Sequence, residues 1–111
     1  MTLPDPHAQL RTLRESLTMA ARPADEQLAA LPGGAAGQLR RIHEDIAHLA
    51  PGLRAAGVLE AEAYRRLSAF DAHHEQLLDD DAVWSDSALR DDPRWDESRS
   101  LASAALAALG R

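Results

Sequence analysis

A chain of 111 residues with a net charge of −6 and an apolar content dominated by Ala and Leu is long enough for one modest hydrophobic core and too short for two. Cysteine is absent, which excludes disulfides and thiolate chemistry, and no stretch approaches the ~18 apolar residues that a membrane span needs. β-Branched residues are scarce and strong helix formers abundant, so the expectation is one all-α domain over residues 1–111.

Asp5-Pro6 opens the first element. An aspartate can cap a helix N-terminus, and a proline in the first turn loses no hydrogen bond there. The helix is predicted over Pro6–Ala21, with Leu10, Leu13, Leu17 and Ala20 at spacings of three and four, until Arg22-Pro23 ends it. Ala24–Leu31 reads as a short helix carrying Leu28 and Leu31, closed by Pro32-Gly33-Gly34. Leu39, Ile42, Ile46 and Leu49 stripe the next helix, Ala35–Ala50, and Pro51-Gly52 predicts a bend or break. One further turn over Leu53–Ala56 would then precede Gly57. Leu59, Ala63, Leu67, Phe70, His74 and Leu77 or Leu78 mark a long helix over Glu60–Asp79, with Tyr64 on its flank.

The stretch Asp80–Asp92 is acidic and reads as irregular, with Ser85 placed to cap a short turn over Asp86–Arg90. Asp92-Pro93 repeats the opening device. The last helix, Pro93–Leu109, should stop at Gly110 and bury residues drawn from Trp95, Leu101, Ala102, Ala105, Leu106 and Leu109. Together these elements predict a bundle of about four main helices with one or two short extra turns.

Charge is distributed unevenly along this pattern. Residues 1–70 hold eight acids and eight arginines, whereas residues 71–97 hold ten acids against Arg90 and Arg94, a net of −8. Such an excess repels nucleic-acid phosphates and attracts basic proteins, so the expected partner is a basic protein and not nucleic acid or membrane. Both tryptophans lie in the acidic stretch. In a chain so poor in large side chains each has two readings, a plug for the end of the core or an interface anchor. Asp92, Asp96 and Glu97 fall near a helix N-terminus, where carboxylates stabilise the macrodipole. Asp79, Asp80 and Asp81 fall near a C-terminus, where they do not, so the triplet is either a solvated helix stop or kept for a partner.

Catalytic and metal motifs are hard to assemble. His43-Glu44 with His48 resembles H-E-x-x-H, but a spacing of five sets the two imidazoles about 140° apart on the helix, which excludes the zinc-protease geometry. Glu44 and His48 do share a face, and Asp71 with His74 lies on another helix. A carboxylate–histidine metal site on these four residues is the alternative reading, set against the plainer one of solvated helix faces. The run Asp79–Asp86 lacks the glycine and alternating ligands of an EF-hand. No nucleophile elbow, phosphate-binding glycine loop or paired Glu-x-x-Glu occurs, so no cofactor is expected.

Val83 to Leu109, with Trp84, Ala88-Leu89, Trp95, Arg99, Ala102 and Leu106, together with Gln27–Pro32, resembles a group of small bacterial helical proteins. Some of these look like immunity proteins, which neutralise a toxin by binding it. That resemblance implies a non-catalytic, partner-binding role.

The sequence thus predicts a protein-binding module, immunity-type in character, whose partner-binding residues are Asp79, Asp80, Asp81, Trp84, Asp86, Asp91 and Asp92. A metal-binding helical bundle or metal-dependent enzyme and a homo-oligomeric structural protein, with a second copy as partner, are the alternatives. Arginine supplies all twelve formal basic side chains, and with the Ala richness this is the composition of a high-GC bacterial genome. Met1 to Pro6 show no basic segment followed by an apolar stretch, so a cytoplasmic location is expected.

Overall fold

The computed structural model describes residues 5–109. Their architecture is an all-α bundle: α1 (Pro6–Ala21), α2 (Ala24–Ala30), α3 (Ala35–Ala55), α4 (Ala61–Leu77), a 3-10 turn (Asp81–Val83), α5 (Asp86–Asp91) and α6 (Pro93–Leu109). The four long helices close a ring in which α1 and α4 each pack on both α3 and α6. Helix α6 runs antiparallel to both of those neighbours. Arg14 of α1 reaches the Leu109 carbonyl at one end, and His73 of α4 meets Arg94 and Glu97 at the other. Helices α3 and α4 are likewise antiparallel, with His43 beside His74 and Pro51 beside Tyr64. The topology is therefore up-down-up-down.

Both Asp-Pro devices work as the sequence predicts. Asp5 accepts the His7 N–H at 3.0 Å and Asp92 accepts the Arg94 N–H at 2.9 Å, each ahead of a proline in the first turn. The stop assigned to Gly110 lies outside the described residues. At Pro51 the helix does not break: α3 continues to Ala55. Pro51 and Gly52 face solvent while Leu53 is fully buried, so packing of that last turn outweighs the hydrogen bond proline cannot make. The helix stops instead at Gly57, whose φ of 78° suits glycine. There the Gly57 N–H reaches the Arg54 carbonyl and the Val58 N–H the Leu53 carbonyl, closing a Schellman cap.

Two apolar clusters fill the interior. The larger joins Leu13 and Leu17 of α1, Ile46 and Leu53 of α3, Leu67 and Phe70 of α4, and Ala102, Ala105 and Leu109 of α6. The smaller gathers Leu39, Leu77, Val83, Leu89 and Trp95 under the short elements, and Ile42 packs against both. Trp95 is buried, as the core-plug reading of it predicts. No helix among the described residues is long and apolar enough to cross a membrane.

Candidate functional site

The acidic stretch lies over the smaller cluster and is tied down residue by residue. Asp80 accepts the Ala82 N–H at 3.0 Å and so starts the 3-10 turn, which buries Val83. That turn delivers Trp84, whose indole N–H donates to the Leu77 carbonyl at 3.1 Å. Trp95 donates its own indole N–H to the Val83 carbonyl at 2.9 Å. Ser85 caps α5 by accepting the Ala88 N–H at 3.1 Å. Arg94 then clasps the two ends of the stretch, donating to Asp92 at 2.7 Å and to Asp80 at 3.0 Å. Its guanidinium, together with the Ala82 N–H for Asp80 and the Arg94 N–H for Asp92, holds both carboxyls below their ordinary range.

The sequence-predicted partner residues therefore divide into two groups. Asp80, Asp86 and Asp92 have intramolecular work: two receive Arg94, and Asp86 accepts the Ala36 N–H at the start of α3 at 3.2 Å. Asp80 gains nothing from the macrodipole past a helix C-terminus, but it caps the following turn and holds an arginine. Asp79, Asp81 and Asp91 are exposed, and among the described residues no side chain pairs with them. Trp84 is half-buried and belongs to both worlds. One face carries the Arg40 guanidinium 5.3 Å from the ring centre, and its ring stands edge-on to Trp95 at 5.4 Å. Beside it lies an open cleft of about 510 Å³ walled by Gly33, Gly34, Gly37, Gln38 and Arg41.

Beneath Trp84 is a histidine pair that the sequence reading did not place. His43 and His74 are buried and bring their Nδ1 atoms within 3.3 Å, so in the neutral pair one nitrogen donates and the other accepts. Burial, with the neighbouring His74 and His73, pushes the His43 imidazole down to about 3. Burial also lowers His74, against the opposing pull of Glu44, Glu75 and Asp71. His73 donates from Nε2 to the Arg94 carbonyl at 3.0 Å. The signal for His43 was present in the sequence. It continues the stripe of Leu39, Ile46 and Leu53, all buried on one side of α3.

The four residues of the metal alternative do not form a site. Glu44 and His48 are exposed, Asp71 is half-buried and His74 is buried, and among the described residues no three His, Asp or Glu side chains stand where they could share a metal ion. Another sizeable concavity, a groove of about 310 Å³ between α4 and α6, is lined by Glu60, Glu62, Arg66 and alanines. Glu62 is already engaged by Arg65 and Arg66. What the acidic end offers chemically is thus fixed charge and one partly exposed indole. Neither a protein-family model, nor a curated protein, nor a solved structure matches the chain.

Proposed function

We propose that this chain is a non-catalytic protein-binding module that receives a basic protein on its acidic end. Asp79, Asp81 and Asp91 present charge, and the exposed part of Trp84 supplies apolar contact. The observation that carries this reading is the contrast within the stretch. Asp80, Asp86, Asp92 and Arg94 are consumed in holding it in one shape, which leaves three exposed carboxylates with no cation of their own among the described residues. A surface held in shape in advance loses little conformational freedom on binding, and an excess of one sign accelerates encounter with the other. A bacterial toxin with a basic face is the kind of partner that the immunity-protein resemblance implies, and a cytoplasmic location suits it.

Affinity capture from host lysate at low salt, eluted at high salt, supplies the partner, and stopped-flow association then tests the mechanism. Replacing Asp79, Asp81 and Asp91 together by Asn should slow association about tenfold at low salt, with a smaller difference at high salt. Helicity should not change. An association rate indifferent both to the triple substitution and to salt would sink the proposal.

A further inference from the structure

Proline at position 51 leaves a mark on the middle of the bundle. It has no N–H, so the Ala47 carbonyl, one turn earlier in α3, lacks its regular helical donor. At that point lies a notch of about 50 Å³ between α3 and α4, open to solvent on one side and lined by Ala47, Ala50, Pro51, Tyr64, Leu67, Ser68 and Asp71. The lining brings a second unserved acceptor. Asp71 Oδ1 is buried and has no hydrogen-bond partner among the described residues. Ser68, also on the wall, gives its hydroxyl proton to the Tyr64 carbonyl at 2.9 Å and has none left for either oxygen.

A buried acceptor without a donor, such as Asp71 Oδ1, is costly, and a polar notch beside it answers that cost with ordered water. A volume of about 50 Å³ exceeds the ~10–15 Å³ that one water molecule requires, so the notch has room for water. Water carries two protons, one for each orphaned oxygen. We propose that the notch made by Pro51 is a binding site for a single long-lived water that donates to Asp71 Oδ1 and to the Ala47 carbonyl. It replaces the missing helical hydrogen bond and stitches α3 to α4. The site also gives Asp71 a role that neither partner binding nor a metal requires.

The test is water–methyl cross-relaxation by NMR on protein labelled at alanine methyls. The Ala47 and Ala50 methyls should show water cross-peaks of the sign that marks a residence longer than molecular tumbling, while exposed Ala69 and Ala72 should not. Absence of those cross-peaks at Ala47 and Ala50 in the unsubstituted protein overturns the proposal without any variant. Pro51→Ala returns an N–H to the Ala47 carbonyl and should weaken the cross-peaks at least twofold. Asp71→Leu removes the other acceptor and fills the notch, and should abolish them. Cross-peaks undiminished in both folded variants would overturn the proposal equally.

Discussion

His43 behaves as a core residue that happens to be titratable. Folded, it resists protonation until about pH 3, whereas the unfolded imidazole takes a proton near 6.5. Below 6.5 the unfolded chain therefore binds a proton that the folded chain refuses, and stability falls as pH falls from 6.5 toward 3. At pH 5 the loss from His43 is about 2 kcal/mol, and His74 adds to it in the same direction. Asp80 and Asp92 act lower on the scale. Their folded values lie below the ordinary 3.8, so the stability they contribute is present above that pH and is lost as pH drops through the folded values. Urea midpoints measured at pH 7 and pH 5 check the histidine effect, and His43→Leu should flatten most of the difference. Equal midpoints at the two pH values in the unsubstituted protein would contradict a neutral buried pair. The same residue illustrates what a local search for chemistry overlooks. Scanned for ligand spacing, His43 is half of a failed zinc motif; scanned for periodicity, it continues the stripe of Leu39 and Ile46.

Among the elements, boundaries set by neighbouring residues were legible and those set by distant ones were not. The limits of α1 and the start of α6 follow from Asp-Pro pairs and a following proline or stripe, and they fall where the sequence places them. Helix α3 differs at both ends. At its far end the burial of Leu53 carries it through Pro51, a result that depends on what surrounds that leucine. At its near end the flanking residue is Gly34, with no side chain to accept a hydrogen bond, and the cap arrives from α5 as Asp86, fifty residues later. Asp86→Ala should then cost about 1 kcal/mol, the typical loss of a helix cap, although its side chain is exposed and acidic like that of Asp79. Asp79→Ala provides the comparison, with a change within about 0.5 kcal/mol in the same denaturation experiment. Equal effects would mean that the contact between α5 and α3 contributes nothing.

At the level of the whole molecule, the two short helices are held by polar contacts reaching across the chain. The Arg99 guanidinium donates to the Gln27 side-chain oxygen at 3.1 Å, to the Leu89 carbonyl at 2.7 Å and to Asp96 at 3.0 Å. Gln27, fully buried, passes the link on by donating to the Met19 and Ala20 carbonyls at 3.0 and 3.2 Å. Arg99→Ala strands the acceptors on Gln27 and Leu89 and should destabilise the fold by about 2 to 4 kcal/mol by chemical denaturation. Arg99→Lys should recover less than half of that, because a single ammonium cannot reproduce the planar fork. The bundle itself was readable from apolar spacing, since four stripes of adequate length leave little else to build. The network was not, because a glutamine in a short Ala-rich helix and an arginine near the start of α6 carry no local sign that they will meet.

The placement of the aromatic side chains has an optical consequence. Trp84 and Trp95 stand at right angles in the smaller cluster, while Phe70 lies in the larger with Tyr64 packed against it. Excitation at wavelengths absorbed by indole alone consequently reports on the end that carries the acidic stretch, whereas far-ultraviolet dichroism reports on all the helices together. A melt followed by both signals compares one half of the interior with the whole. Coincident curves mean that the two clusters come apart as one cooperative unit, and an earlier loss of fluorescence anisotropy means that the acidic end opens first.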